Sequence, residues 1–221
     1  AIVAGSFTTD LILLKSIDNG TTWNSTILQP FLIPFYTDSI GLPGGTAIGS
    51  SGDAHVMIDK NGLVHVFWSN IVLTDTGGSL GYYPNLLDGL LYWNENHPVG
   101  AVDTIASAPD KNGNGQLDVV SNTSGCGIAG KYRGSITQMP TSAVDSANNL
   151  FVCFQSICED CDTIMYEMNH KHVYTIVSQD NGLTWSNPYD VDHSIDSNIT
   201  EGVYACLAKN ANGSLHIVYQ R

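Results

Sequence analysis

The segment 110–118 spaces side-chain oxygens in the way that a calcium-binding loop does. Its pattern, D-x-N-x-N-G-x-x-D, matches the first nine positions of an EF-hand-type loop, in which alternate residues curl around one ion. The candidate metal ligands are Asp110, Asn112, Asn114, Gln116 (through its backbone carbonyl) and Asp118. Position twelve is Ser121, where such loops place a bidentate Glu. The pattern therefore predicts weaker binding, or a contribution from a distant acid.

The same stretch also fits plain Asn-Gly turns, because Asn and Gly readily adopt the backbone angles that tight turns need. Both interpretations stay open on the sequence alone. If calcium binds here, we expect a structural role, in which the ion orders a long insertion between strands at residues 99–135.

The cysteines offer a second kind of chemistry. There are five of them, so at least one has no partner within the chain; they are Cys126, Cys153, Cys158, Cys161 and Cys206. Cys158 and Cys161 form a C-x-x-C pair, for which a local disulfide, a zinc site, a redox site and free thiols are all open interpretations. We favour the disulfide, because the sequence has no second such pair, no His at ligand spacing and no βαβ setting nearby.

Composition narrows the possible functions. The chain has 221 residues, 43% of them hydrophobic, which is enough for a sizeable core and argues against intrinsic disorder. Its formal net charge is -13, with only 8 Lys and Arg, which argues against binding to nucleic acid or to an anionic membrane surface. No apolar run approaches the ~20 residues of a membrane span, so we expect no membrane insertion.

Short β-rich runs dominate the rest of the chain, while helical periodicity is nearly absent. The runs are rich in aromatic and β-branched residues, are bounded by Gly, Asn, Asp and Ser, and include 11–14, 63–68, 90–93, 150–154, 172–177 and 215–219. Asn-Gly steps between them predict tight hairpins. The sequence therefore predicts an all-β fold.

One hairpin pattern occurs twice, in segments 16–23 and 178–185. Both segments read S-x-D-N-G-x-T-W and follow an apolar strand. The Asp carboxylate can accept turn N–H groups, Gly supplies a positive φ, and Trp covers the turn with apolar area. The residues that define the pattern are Ser16, Asp18, Gly20, Trp23, Ser178, Asp180, Gly182 and Trp185.

At these residues the sequence resembles the Asp-box, or BNR, repeats of sialidase-like β-propellers. The resemblance implies four-stranded antiparallel blades, with each box on the hairpin between the two outer strands, where it acts as a staple of the fold. The blade near Trp68 and Trp93 has no box in its corresponding segment. We expect about three and a half blades in 1–221, as part of a single propeller domain that extends beyond both ends and has six or more blades if complete.

The resemblance also implies which residues a catalytic member of the family would need. Sialidases of this family bind the substrate carboxylate with three arginines, and use a Tyr–Glu pair as nucleophile and an Asp as acid/base. This sequence has only Arg133 and Arg221, and it lacks the Arg-Ile-Pro motif. Lys is a poor substitute for the fork-shaped guanidinium, so we expect a family member without the arginine triad and assign no catalytic residue.

These observations favour a secreted or cell-surface module with a non-catalytic role in binding or structure, its partner a glycan or an extracellular protein. The acidic composition, the calcium-like loop and the cysteines suit that setting. The alternative is a sialidase-like glycoside hydrolase whose active centre lies partly outside this segment.

Overall fold

The computed structural model describes residues 1–34, 36–37, 39–77, 79–83, 86–117, 132, 134–163, 168–191 and 201–221, and for 158–163 and 168–169 the backbone alone. These residues form sixteen strands and one short turn, Pro43–Gly45. The strands are β1 Ile2–Ala4, β2 Leu11–Lys15, β3 Asn24–Gln29, β4 Thr46–Ser50, β5 His55–Ile58, β6 Val64–Trp68, β7 Asn70–Asp75, β8 Leu80–Tyr83, β9 Leu90–Asn94, β10 Asp103–Ala106, β11 Gln138–Val144, β12 Leu150–Thr163, β13 Met168–Ser178, β14 Tyr189–Asp190, β15 Val203–Leu207 and β16 Ile217–Gln220. Nothing in the described part of the chain forms a helix with the length and apolarity of a membrane span.

The strands form antiparallel sheets that follow one another along the chain. Two sheets have four strands, β5-β6-β9-β10 (blade 2) and β11-β12-β13-β14 (blade 3). Blade 1 is β1-β2-β3, and blade 4 is β15-β16. Within each blade, strands that follow in sequence are neighbours in the sheet, which is the up-and-down order of a propeller blade. The prediction of an all-β fold built from four-stranded antiparallel blades is confirmed.

The blades stack face to face, and the hydrophobic core lies between them. Strand β6 shows why, because alternate residues of a strand point to opposite faces of its sheet. Val64, Val66 and Trp68 pack toward blade 1, whereas Phe67 packs toward blade 3. A third layer joins blades 3 and 4. The strands β5 and β11 are in contact, as are β11 and β15, so the first strands of successive blades adjoin.

Two features of the architecture differ from the sequence expectation. The connection from β6 to β9 carries β7 and β8, which pair with β4 into an additional three-stranded sheet with its own apolar cluster. Strand β10, whose residues are not among the predicted β-rich runs, is the outer strand of blade 2, while the insertion at 99–135 stays a prediction. Asp103–Ala106 is a short strand in which only Ile105 and Ala106 pack against the core, so its hydrophobic pattern is weak.

Candidate functional site

The blades have two chemically different ends. At the hairpin end, tight turns join first to second strands and third to fourth strands. Asn148 joins its own turn to two others there, since its Nδ2 donates to Asp59 Oδ2 at 2.9 Å and to Asn181 Oδ1 at 3.0 Å. At the opposite, loop end, the chain enters the first strands, at Gln138 in blade 3 and Val203 in blade 4.

The first S-x-D-N-G-x-T-W segment is the hairpin between β2 and β3. Asp18 Oδ1 accepts hydrogen bonds from Ser16 Oγ and the Thr22 N–H, both at 2.8 Å, and Oδ2 accepts from Thr22 Oγ1 at 2.6 Å. The Gly20 N–H donates to Ser16 Oγ at 2.7 Å, and Trp23 Nε1 donates to the Gly20 carbonyl at 3.1 Å. The bonds from Thr22, followed by that from Ser16, lower the pKa of Asp18 to about 2.

The second segment is the hairpin between β13 and β14, and its bonds match the first set one for one. Asp180 Oδ1 accepts from Ser178 Oγ at 2.8 Å and the Thr184 N–H at 2.9 Å, and Oδ2 accepts from Thr184 Oγ1 at 2.5 Å. The Gly182 N–H donates to Ser178 Oγ at 2.8 Å, and Trp185 Nε1 donates to the Gly182 carbonyl at 3.2 Å. The pKa of Asp180 is likewise lowered to about 2, chiefly by Thr184.

The two hairpins differ in what they touch. The indole of Trp185 packs edge-on against Phe67, at 6.0 Å between centroids, and Tyr92, at 5.3 Å, both in blade 2. A Cβ added to Gly182 would collide with the Tyr92 hydroxyl. By contrast, Trp23 is 44% exposed. The second hairpin therefore joins two blades, in addition to closing its own.

A buried polar network lies beneath the second hairpin. The Tyr92 hydroxyl accepts from Asn94 Nδ2 at 2.8 Å and lies 2.7 Å from His65 Nδ1, while Asn94 Nδ2 also reaches the Asn181 carbonyl at 3.4 Å. Burial lowers the pKa of His65, which favours the neutral ring, and His65 Nδ1 and the Tyr92 hydroxyl share one hydrogen bond. His65 and Tyr92 are completely buried, so the network is placed to hold blades together and is not accessible to a substrate.

The calcium-like loop is curled by its own side chains. Asp110 accepts the N–H groups of Gly113 and Gly115, both at 2.7 Å. Asn112 Oδ1 accepts the Asn114 N–H at 2.9 Å, and Asn114 Oδ1 accepts the Gln116 N–H at 2.7 Å. These oxygens suit either an ion-binding loop or a set of Asx turns, so the calcium site stays a prediction.

Two of the predicted sites reach past the described part of the chain. Asp118, the last predicted calcium ligand, lies outside the described residues. Cys158 and Cys161 are on β12, but their side chains lie outside the description, so the disulfide stays a prediction. Among the residues that the structure does describe, no group of three or more His, Cys, Asp or Glu side chains could hold a metal ion.

The loop end brings together polar residues that are far apart in the sequence. The loop-end cluster consists of Asp53, Asp88, Tyr132, Lys171, Glu201 and Tyr204. Asp53 accepts from Ser51 Oγ, from Ser69 Oγ at 2.9 and 3.0 Å, and from the Met139 N–H at 2.6 Å. It thereby fastens the first residues of β11 to blade 2.

Asp88 plays a similar role on the same segment. Its carboxylate accepts from Thr137 Oγ1 at 2.6 Å and from the N–H groups of Gly89 and Ala108, both at 2.8 Å. Thr137 Oγ1 also lies 2.7 Å from Ser156 Oγ. The chain entering β11 is thus held by two carboxylates of blade 2 and its loops.

Lys171 supplies the buried amine of the cluster. It is 1% exposed, and its Nζ donates to the carbonyls of Ser135 at 3.0 Å and Ile136 at 2.8 Å. Burial lowers the pKa of Lys171 to about 7, although the charges of Glu201, Asp53 and Asp88 oppose that shift.

Glu201 completes the cluster with two tyrosines. Its Oε1 accepts the Lys171 N–H at 3.1 Å, and its Oε2 accepts a hydrogen bond from the Tyr132 hydroxyl. Burial, together with this hydrogen bond to Glu201, raises the pKa of Tyr132. The ring of Tyr204 meets Tyr132 edge-on, with centroids 5.6 Å apart, and is 51% exposed.

The backbone is strained at this end of the first strands. Met139 and Tyr204 each follow the first residue of their strand, with φ of 55° for both. Residues other than Gly rarely adopt such a backbone angle. The strain persists here because hydrogen bonds hold the backbone amides of both residues. The Met139 N–H donates to Asp53, and the Tyr204 N–H donates to Gln155 Oε1 at 2.7 Å.

Sequence reasoning identified none of the loop-end cluster, because its members share no local pattern. Tyr132 and Glu201 are 69 residues apart, and Asp53 bonds to an amide 86 residues away. Of the two arginines, Arg133 lies outside the described residues, while Arg221 follows β16, whose Gln220 pairs with Val203 at the loop end. Chemically, the cluster offers an exposed aromatic face beside carboxylates that already accept internal hydrogen bonds.

Comparisons with known proteins give distant structural likenesses. No family model and no curated protein matches the chain. The chain is similar in structure to the Hadza microbial sialidase Hz136, with 16% identity and a TM-score of 0.49 over 97% of this chain and 36% of that one. It is also similar to the endo-arabinase from Bacteroides thetaiotaomicron VPI-5482, with 14% identity and a TM-score of 0.38 over 98% of this chain and 68% of that one. The chain therefore spans little more than a third of the sialidase.

Proposed function

We propose that this chain is a non-catalytic propeller module that binds a glycan, in a secreted or cell-surface protein. The observation that carries the proposal is the exposed Tyr204 ring, supported edge-on by Tyr132, whose hydroxyl donates to Glu201. Sugar rings pack their C–H faces on aromatic side chains and present hydroxyls to neighbouring acceptors. An aromatic face next to a carboxylate suits both kinds of contact.

The hydrogen bonds of the carboxylates favour binding over catalysis. Asp53, Asp88 and Glu201 each accept bonds from backbone amides of the protein itself, and these bonds position the segments around β11 and β13. A general acid or base must exchange its proton with the substrate during each turnover, which such structural bonds oppose. The acidic net charge further favours a neutral glycan over an anionic one at this face.

Binding to a panel of neutral oligosaccharides, measured by calorimetry, tests the proposal. Tyr204→Ala is expected to weaken binding about tenfold or more, the loss of roughly 1.4 kcal/mol that removing one aromatic contact implies. Tyr189→Ala is the matched control, because Tyr189 is 60% exposed but lies on the outer strand of blade 3. Equal effects of the two substitutions, or no binding by the unmodified chain, would refute a glycan site at the loop end.

One observation favours a second candidate, a glycoside hydrolase of the sialidase-like kind. The hydrogen bond from Tyr132 to Glu201 joins the two residue types that form the nucleophile in that family, and Asp53 lies at the same end of the blades. The raised pKa of Tyr132 disfavours the phenolate that a nucleophile requires. The active centre would also need groups from outside this segment.

Hydrolysis assays separate the two candidates. The substitutions are Glu201→Gln and Tyr132→Phe, tested with aryl glycosides and oligosaccharides on the longest form of the protein that can be produced. The binding module predicts no turnover before or after substitution. Turnover that falls at least a hundredfold in both variants, with the fold retained by circular dichroism, would establish the hydrolase instead.

A further inference from the structure

A second cleft lies between the first strands of blades 2 and 3, away from the loop-end cluster. It has a volume of about 370 Å³, within the range of small-molecule sites. The side chains on which the argument rests are His55 and Met57 of β5, Ser142 and Val144 of β11, and Lys209 and Asn210 of the turn that follows β15. We call this space the axial cleft.

Strand register explains why these side chains share the cleft. Met57 packs in the layer between blades 2 and 3, and His55, two residues earlier, points to the same face of β5. Val144 also packs in that layer, and Ser142, two residues earlier, points to the same face of β11. His55 and Ser142 therefore face the same space from opposite blades.

The axial cleft is basic, although the protein is strongly acidic. The chain carries 21 Asp and Glu, yet no described residue lining this cleft is acidic. His55 is half-buried, and its pKa is lowered by burial and by the charge of Lys209. Ala1 also lines the cleft, and His55 and Lys209 face each other there with no carboxylate among the described lining residues, an arrangement that an anion would stabilise.

A buried hydroxyl also points to a ligand. Ser142 is 2% exposed, and its Oγ has no hydrogen-bond partner among the described residues. Most buried polar atoms are paired, and an unpaired one costs about 1–3 kcal/mol. A bound acceptor would satisfy this hydroxyl.

The lysine is held in place by the backbone. The Val144 N–H donates to the Lys209 carbonyl at 3.1 Å, and the Ala211 N–H donates to the Val144 carbonyl at 3.2 Å. The turn carrying Lys209 is thereby fastened to the end of β11, so the amine is presented from a positioned backbone.

We propose that the axial cleft is a binding site for a small oxyanion, a carboxylate or a phosphate. Lys209 supplies the positive charge, the His55 ring can add to it by taking up a proton as the anion binds, and the Ser142 hydroxyl donates a hydrogen bond to an anionic oxygen. The proposal does not depend on the proposed function, because it uses different residues at a different place in the blades.

Nuclear magnetic resonance of the His55 ring tests the site directly. The probes are acetate, inorganic phosphate and glucuronate, with glucose as the neutral counterpart of glucuronate, at ionic strength held with sodium chloride. Saturable shifts of the His55 signals and an upward movement of its pKa are expected with at least one anion and not with glucose. Tighter binding of phosphate identifies a free inorganic ion, and tighter binding of glucuronate identifies a sugar carboxylate.

Three variants make the result specific. Lys209→Gln is expected to weaken anion binding about tenfold, the effect of losing one charge-assisted hydrogen bond. Lys60→Gln is the matched control, because Lys60 is exposed on the corresponding turn of blade 2 and does not line the cleft. Ser142→Ala is expected to weaken binding several-fold without destabilising the anion-free protein, since it removes an unsatisfied group.

The proposal is overturned if none of the three anions gives saturable shifts at His55. It is also overturned if Lys60→Gln weakens binding as much as Lys209→Gln, because the effect would then be general charge screening. Thermal unfolding of each variant without anion shows whether a loss of binding reflects a loss of folding. If Lys209→Gln does not fold, Lys209→Met replaces it in the binding measurements.

Discussion

Two hairpins of this protein have the same internal hydrogen bonds and different surroundings. In both, an Asp carboxylate gathers a Ser hydroxyl, a Thr hydroxyl and a Thr N–H, and a Trp indole donates to the Gly carbonyl. The first hairpin leaves Trp23 44% exposed, whereas the second seats Trp185 on Phe67 and Tyr92 of the neighbouring blade.

The difference lies in the neighbouring blade: blade 2 precedes the second hairpin's blade and receives Trp185, whereas blade 1, which carries the first hairpin, is the first blade of these 221 residues. The two hairpins share the same hydrogen bonds, which shows that groups within eight consecutive residues are enough to close such a hairpin. Joining blades requires a partner surface, which blade 2 supplies to the second hairpin through Tyr92 and Asn94. Substitutions at matched positions should therefore disturb the two turns equally. They should lower the free energy of unfolding more at the second hairpin than at the first.

The largest difference in the free energy of unfolding is expected between the variants Gly20→Ala and Gly182→Ala. Gly20 and Gly182 have φ of 88° and 89°, so Ala is strained by about 1–2 kcal/mol at either position. At Gly182 the new Cβ also collides with Tyr92, which adds about 1–3 kcal/mol of overpacking. Urea unfolding should show a loss of about 4 kcal/mol for Gly182→Ala and about 1 kcal/mol for Gly20→Ala. Similar losses would mean that the second hairpin does not depend on blade 2.

The two tryptophans come next. Trp185→Ala removes contacts with Phe67 and Tyr92 and is expected to lower the free energy of unfolding by about 3 kcal/mol. Trp23→Ala removes a side chain that is already 44% exposed, so about 1 kcal/mol or less is expected. The same urea titrations measure both variants, and a larger loss at Trp23 would reverse the comparison.

A smaller loss in the free energy of unfolding is expected when Tyr92, on which the second hairpin packs, is changed. Tyr92→Phe deletes the hydroxyl that accepts from Asn94 and is hydrogen-bonded to His65, which leaves His65 Nδ1 unpaired and Asn94 Nδ2 with only its longer bond to the Asn181 carbonyl. A loss of about 1–2 kcal/mol is expected by thermal or urea unfolding. Tyr82→Phe is the control, since Tyr82 is 42% exposed, and should change stability by less than about 0.5 kcal/mol.

The smallest difference is expected in the acidity of Asp18 and Asp180. The pKa of each is lowered to about 2 by bonds within its own hairpin, so neighbouring blades should not matter. A carboxyl whose pKa is lowered by folding stabilises the fold above its unfolded value of about 3.8, and that contribution is lost as the pH falls toward 2. Carboxyl chemical shifts followed by nuclear magnetic resonance should give equal midpoints near pH 2. A midpoint near 3.8 for Asp18 alone would show that the exposed hairpin is not formed.

Features whose residues are close along the chain could be predicted from the sequence, and features whose residues are far apart along the chain could not. The strands and hairpins could be predicted, because alternation and turn chemistry are local; β6 lies within the predicted run 63–68. The loop-end cluster could not be, since Asp88 meets Thr137 across 49 residues and Tyr132 meets Glu201 across 69. The additional sheet of β4, β7 and β8 was missed for the same reason, because β4 precedes β5 in the chain but pairs with β7.

Residue types and their spacing specify the strand pattern, the positions of the tight turns and the internal bonds of the two S-x-D-N-G-x-T-W hairpins. In each case the interacting groups are close along the chain, so residue type and spacing specify the contact. The packing of the blades, in contrast, settles which hairpin joins two blades, which carboxylates lie near Lys171, and that His55 and Ser142 face one cleft. Those pairings depend on how separate blades stack, and stacking is set by apolar area spread over many residues rather than by any short pattern.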